Sequence, residues 1–257
     1  MRLMRVIPAF LLFYFFSVPC LALANGFATS ENFIVYADTQ ELAEKILAKA
    51  EEYREKLATE WFGRAFPDGA GVTIIHARIN KEGHVAVSTP KTTERQHYHY
   101  ITMRTTEELM LGGTLAHEMS HILFAQAFGR IPRWMDEGAA CFWDDTDRCL
   151  KLRAQIADFA QSKKAWPDLR TVVGQVGVTP DEAAFYAASK YFVMYLLEIG
   201  TKEEFMEFAR DLRNSRDFDR VVREHYPAIR SFADLESRWR AWAARLPAAY
   251  PCAPSRR

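Results

Sequence analysis

The chain of 257 residues is poor in cysteine, has no excess charge of either sign and contains no repeated segment. Its four cysteines do not occur in the paired spacing of cysteine-rich zinc modules, which excludes metal held by thiolates of that kind. Lysine plus arginine and aspartate plus glutamate both number 33, a balance that gives no basic surface for nucleic acid or for an anionic membrane. The apolar run from Val6 to Val18 is shorter than the ~20 residues that a spanning helix needs. EF-hand spacing is absent, as is a linker long enough to separate domains.

What is present begins with a secretory pattern. Arg2 and Arg5 precede the apolar run, and Pro19-Cys20-Leu21-Ala22-Leu23-Ala24 ends in an Ala-x-Ala cleavage signal, so residues 1–24 read as a signal peptide. An uncleaved anchor is the second reading; Ser17-Val18-Pro19 before Cys20 is a poor lipoprotein signal, and no twin-arginine pattern occurs. Cleavage removes two arginines and no acids, leaving 233 residues with 31 basic and 33 acidic side chains. The expectation is a secreted or periplasmic protein, not stably inserted in a membrane after cleavage, with 25–257 as one compact domain. Cys20 leaves with the signal, and the odd number remaining leaves at least one thiol unpaired or intermolecular. Cys141 and Cys149 flank Asp144-Asp145-Thr146-Asp147. They form a short bridge, or Cys141 is buried without one; both readings stand. The acidic loop itself reads as a calcium ligand set or, more simply, as a solvated turn.

The centre of the chain is Thr114-Leu115-Ala116-His117-Glu118-Met119-Ser120-His121-Ile122-Leu123-Phe124. On a helix His117 and His121, four apart, share a face and both reach one zinc ion. Glu118 sits one position round, placed to take a proton from a zinc-bound water. Thr105 or Thr106 with Glu107-Glu108 supplies a cap and an acidic first turn. Gly112-Gly113 lowers helix propensity, so the helix starts late or its backbone closely approaches something there.

Zinc held by two histidines needs a third protein ligand and an open position. Sixteen residues after His121 comes Glu137, in Ile131-Pro132-Arg133-Trp134-Met135-Asp136-Glu137-Gly138-Ala139-Ala140. Pro132 suits the entry to a helix. Inside so apolar a segment the Asp136-Glu137 pair needs a partner, and a metal is one. The other reading is an exposed pair favoured by the helix dipole.

His117-Glu118-x-x-His121 followed by Pro132-x-Trp134-x-x-Glu137-Gly138-x-Ala140 resembles the gluzincin zinc peptidases, and within them the bacterial peptidase-MA-like domains, distant relatives of aminopeptidase N and thermolysin. The likeness runs from about Asn32 to Gly200 and takes in Phe33-Ile34-Val35-Tyr36-Ala37, the long helix after it and Tyr186-Ala-Ala-Ser-Lys-Tyr-Phe-Val-Met-Tyr195-Leu196. It implies zinc ligands at His117, His121 and Glu137, a catalytic base at Glu118 and a transition-state-stabilising tyrosine at Tyr186. Tyr191 is the weaker alternative for that last role. The implied fold is α+β and zincin-like. A small mixed sheet in an N-terminal lobe (about 25–128) packs on the His-Glu-x-x-His helix, beside a mostly helical lobe (about 129–250). In gluzincins the strand before the zinc helix is commonly the edge that pairs with substrate, which points to His97–Met103. His97 and His99 on that strand are not read as ligands.

The remaining segments are read from pattern. Asn32–Ala37 is a strand, and Asp38 or Thr39 caps a helix to about Phe62 with Leu42, Ala43, Ile46, Leu47, Ala50, Tyr53, Leu57 and Trp61 inward. Pro67-Asp68-Gly69 marks a turn; Gly71–Ile79 and His84–Val87 read as strands and Thr89–Gln96 as a loop. Leu150–Ser162 is a helix, Leu169–Val173 packs over the site, and Pro180–Ile199, Thr201–Leu212, Asp217–Glu224 and Ser231–Leu246 are helices.

The sequence thus points to a secreted zinc metallopeptidase holding one zinc and acting on a peptide or protein. Asp136 either orients a ligand or faces solvent. Two rivals remain: an envelope binding protein that keeps the fold without catalysis, for which Glu118 would be unnecessary, and a zinc hydrolase of a non-peptide substrate. The Gly-x-Met-Glu-Asn of aminopeptidase N is absent, so endo or exo action is open, as is the oligomeric state.

Overall fold

The computed structural model describes residues 25–66, 71–92, 97–215 and 217–246. The signal segment 1–24, the Pro67-Asp68-Gly69 turn and the tail with Cys252 lie outside the described residues, as do 93–96 of the polar loop. The architecture is α+β, with a five-stranded mixed sheet followed by a largely helical half. The strands are β1 (Gly26–Thr29), β2 (Phe33–Ala37), β3 (Val72–Ile79), β4 (Val85–Thr92) and β5 (His97–Thr105). The helices are α1 (Gln40–Phe62), the short α2 (Glu107–Leu109), α3 (Leu115–Phe128), α4 (Arg133–Ala140), α5 (Thr146–Ala160), α6 (Leu169–Gly174), α7 (Glu182–Ile199), α8 (Lys202–Asn214), α9 (Phe218–His225) and α10 (Phe232–Ala244). No described helix is long and apolar enough to cross a membrane.

The sheet order is β1-β2-β3-β5-β4, with β2, β3 and β5 parallel and the two outer strands antiparallel to their neighbours. Period-two alternation puts Phe33, Val35, Thr73, Ile75, Ala77, His99, Ile101 and Met103 on the inner face. Helix α1 covers β1 and β2 and leans on α3. Thr39 caps it, accepting from the Leu42 N–H, and its buried side includes Leu42, Ala43, Ile46, Ala50, Leu57 and Trp61.

The strand before the His-Glu-x-x-His helix is not an edge. Pairing of Val85–Thr92 with Arg104–His97 closes β5 between β3 and β4, and β4 becomes the outer strand. Pro90, which has no N–H to donate, suits that outer position. Strand β4 runs to Thr92, into the stretch expected to be loop, and the short β1 falls where no strand was expected.

Helix α3 joins two cores. Met119, Ile122 and Leu123 pack under the sheet with α1, whereas Phe124 and Phe128 belong to the helical core with Trp61, Trp134, Phe192 and Trp239. Helix α6 feeds Leu169 and Val172 into that helical core; it does not pack over the site. Asp145, Asp181, Thr201, Asp217 and Ser231 cap the later helices, and Thr201 with Glu204 forms a reciprocal capping box.

Close backbone approach at Gly138 seats α4 on α7. A Cβ there would lie 2.5 Å from the Ser189 carbonyl oxygen and 2.6 Å from Val193. Gly138→Ala therefore forces the two helices apart. It is expected to destabilise the protein by about 1–3 kcal/mol, read by urea unfolding as a lower midpoint at unchanged slope.

Candidate metal centre

The site forms where α3, α4 and α7 meet. The chain enters α3 through Glu107–Thr114, where a widened turn over Met110–Thr114 and non-helical φ/ψ at Gly112 delay the regular helix to Leu115. The neighbouring Gly113 is a close approach as well: a Cβ there would lie 2.3 Å from the Asp145 backbone nitrogen. Both readings of the glycine pair thus hold, one at each residue.

His117 and His121 lie one turn apart and are buried, with ring centroids 4.9 Å apart. Their Nε2 atoms are 3.2 Å apart, and each is 3.6 Å from Oε2 of Glu137, presented by α4. Donor atoms about 2.0–2.2 Å from a tetrahedral ion lie about 3.3–3.6 Å from one another, so the three atoms have the spacing of three corners around one zinc. Glu137 Oε2 is buried with no hydrogen-bond partner among the described residues, which an ion at that point would remedy. On chemistry, spacing and the orphaned oxygen, His117, His121 and Glu137 fit a zinc ion.

Each imidazole is backed by a carboxylate at its other nitrogen. His117 Nδ1 is 2.9 Å from Asp144 Oδ1, and His121 Nδ1 is 3.0 Å from Asp136 Oδ2. The carboxylates stand behind the rings at ion-pair distance, outside hydrogen-bond geometry, and Nε2 of each ring faces Glu137. Asp136 therefore touches His121, a candidate ligand, and is only one-third exposed. Asp144, expected on a solvated or calcium-binding loop, has a side chain only 2% exposed. It is delivered by a tight turn over Cys141–Trp143 at the end of α4. That turn is braced from inside by Lys190, which is fully buried and donates to the Cys141 carbonyl at 2.9 Å. Burial pushes the Lys190 amine down.

Cys141 is a free, buried thiol, whereas Cys149 is disulfide-bonded. The short Cys141–Cys149 bridge is thus not formed: the turn that delivers Asp144 leaves Cys141 in the core, while Cys149 sits a turn into α5. Cys141 also lies within reach of His117 and Asp144 as a second trio of donor groups. Burial pushes its thiol well above the ordinary range, however, so it stays protonated, and Asp144 is already engaged with His117.

The electrostatics call for positive charge. Burial disfavours both imidazolium ions, but Asp144 and Glu137 outweigh it at His117, and Asp136 with Glu137 outweighs it at His121, which is lifted to about 10. Burial opposes the Glu137 and Asp144 carboxylates too, but His117 and His121 hold Glu137, and His117 with Arg148 holds Asp144, below the usual carboxylate range. Without a metal, both imidazoles are thus drawn toward the protonated form.

The centre opens into a cleft of about 460 Å³ lined on one side by β4 from Val85 to Ser88 and on the other by Arg148 of α5 and Tyr186 of α7. Glu118, 6% exposed, lines the cleft beside His117 and accepts no hydrogen bond among the described residues. Tyr186 donates to Glu137 Oε1 at 3.4 Å; burial, with Glu137 close by, raises its phenol to about 12, so the proton is present at neutral pH. Tyr191 is buried in the helical core and does not line the cleft. His99 is buried in the sheet and is not among the converging groups. The residues that sequence reasoning passed over are Asp144, Arg148 and Lys190; the signal for the first was the apolar Cys141-Phe142-Trp143 that leads into it.

A scan against protein-family models gives no match to this chain, and a search of curated proteins gives none either.

Asp144→Asn is expected to keep the fold and weaken zinc binding about 10- to 100-fold, measured by competition with a chromogenic chelator. The metal-free protein is also expected to lose stability as pH rises. His117 and His121 have raised folded values, so between the ordinary 6.5 and about 10 the native state binds more protons than the unfolded chain. The stability they contribute is complete below that window and lost through it. Zinc needs neutral imidazoles, so the zinc-loaded protein should show a flatter profile in urea unfolding across the same range.

Proposed function

We propose that the protein is a zinc-dependent peptidase of gluzincin type with a zincin-like fold, exported to the cell envelope or beyond. The observation that carries this reading is the convergence of His117 Nε2, His121 Nε2 and Glu137 Oε2 within 3.2–3.6 Å of one another, at the floor of a cleft that also holds Glu118 and Tyr186. His117, His121 and Glu137 would hold the ion, and Asp144 and Asp136 keep the two rings aimed at it. Zinc, when bound there, supplies the Lewis acidity that makes a water a nucleophile at neutral pH and polarises a carbonyl.

The chain's own groups do the rest. Glu118, next in sequence to His117 and unpaired in the cleft, accepts the water's proton and returns it to the leaving amine. The protonated phenol of Tyr186 donates a hydrogen bond to the oxygen on which negative charge develops. Peptide rather than another substrate is favoured by the outer strand β4, whose Val85–Ser88 segment flanks the cleft with an edge free in the sheet order. An extended peptide added along that edge pairs its backbone and brings a carbonyl over the metal centre. The role first looked for on β5 passes to β4.

The test is digestion of an unbiased peptide library by the zinc-loaded protein, with Glu118→Gln alongside. Cleavage by the parent is expected, with turnover lowered by at least about 10³-fold in Glu118→Gln at unchanged zinc stoichiometry. Loss of zinc in the variant would sink the base assignment. No cleavage by either, with one zinc per chain, would move the reading to a binding protein on this fold or a hydrolase of another substrate class.

A further inference from the structure

Among the described residues two guanidinium groups stand over the metal centre, and they differ in how far their donors are engaged. Arg133 is occupied. Its Nη1 donates to the Gly177 carbonyl at 2.9 Å, both terminal nitrogens reach the Glu182 carboxylate, and its guanidinium carbon lies 4.2 Å from the Phe185 ring centre. Arg148 is not. Its Nε lies 3.3 Å from Asp144 Oδ2, and its guanidinium carbon is 5.0 Å from the Tyr186 ring centre. Nη1 and Nη2 meet no acceptor among the described residues, and the side chain remains one-third exposed where it lines the cleft.

A guanidinium held at one end by a buried carboxylate and against an aromatic face is fixed in direction. Its remaining donors form the planar fork that matches a carboxylate, which a lysine would meet only as a point charge. Asp144 does not use up that charge, because it already faces His117 Nδ1 at 2.9 Å. The other ionisable groups of the cleft are Glu118, Asp136, Glu137, the Tyr186 phenol and imidazoles, none of which offers an anion such a fork.

We propose that Arg148 is a specificity-determining residue that receives a carboxylate of the substrate on the Tyr186 side of the metal centre. This rests on the hydrolase reading above. The carboxylate is the C-terminal one of a short peptide or that of an acidic side chain. The first makes the enzyme act near C-termini, the second makes it cut beside acidic residues.

The experiment is equilibrium binding, by fluorescence anisotropy, of labelled hexapeptide pools to zinc-loaded Glu118→Gln, which does not consume them. One pool has a free C-terminal carboxylate and no acidic side chain, the second an amidated C-terminus and one glutamate, the third an amidated C-terminus and no acid. One of the first two pools is expected to bind roughly ten- to a hundredfold more tightly than the third, and which one it is identifies the source of the carboxylate. Adding Arg148→Gln should abolish the preference with zinc still bound. Arg148→Lys, which keeps a cation beside Asp144, should lose most of it. Equal binding of the three pools, or full preference in either Arg148 variant, would overturn the assignment and leave the peptidase reading standing. Binding of no pool, with no hydrolysis by the parent, would overturn both.

Discussion

One carboxylate oxygen of Glu137, buried 3.6 Å from each of two imidazole nitrogens and without a hydrogen-bond partner among the described residues, sets the terms for the rest of the molecule. An ionised group in such a place is tolerable only if cations are held close to it. The two rings are held there from behind by Asp144 and Asp136, so the charge problem passes outward by one layer. Arg148 lies 3.3 Å from the second oxygen of Asp144, and the turn that carries Asp144 inward leans on the buried Lys190. Each contact explains the next, and the series ends at groups that reach the cleft. The acidic surplus around the rings is what an ion of double positive charge would balance.

Helix packing supplies the precision that this charge arrangement needs. Gly138 brings α4 against α7 closely enough for Tyr186 to reach Glu137, and Gly113 brings the entry to α3 against the backbone of Asp145. Both glycines work by what they lack. A methyl group at either would displace an element carrying one of the converging side chains by more than hydrogen-bond geometry allows.

Much of this was legible along the chain, because the signals concerned were local. The stripe from Leu42 to Trp61 and its Thr39 cap required only a period and a cap residue, and α1 has both. The His117–His121 spacing and the apolar company of Glu137 located three converging groups without any knowledge of the sheet. What was not legible depended on contacts far apart in sequence. The order β3-β5-β4 is a pairing choice that no single strand encodes, so the edge was sought one strand too early. Asp144 lies in a stretch whose composition reads as a wet turn, and its burial follows from the meeting of α3, α5 and α7. Likewise Tyr186 and Tyr191 are equivalent by composition, and only the packing of α7 turns one to the cleft and the other to the core.

Helix α3 gives its apolar residues to both cores, with Met119, Ile122 and Leu123 on one side and Phe124 and Phe128 on the other. The helix is thus a shared wall, and neither half of the molecule has a complete interior without it. Local opening that frees the two histidines must breach both interiors together. Displacing the helix would open both cores at once, so the spacing of His117 and His121 is held by the packing of both halves.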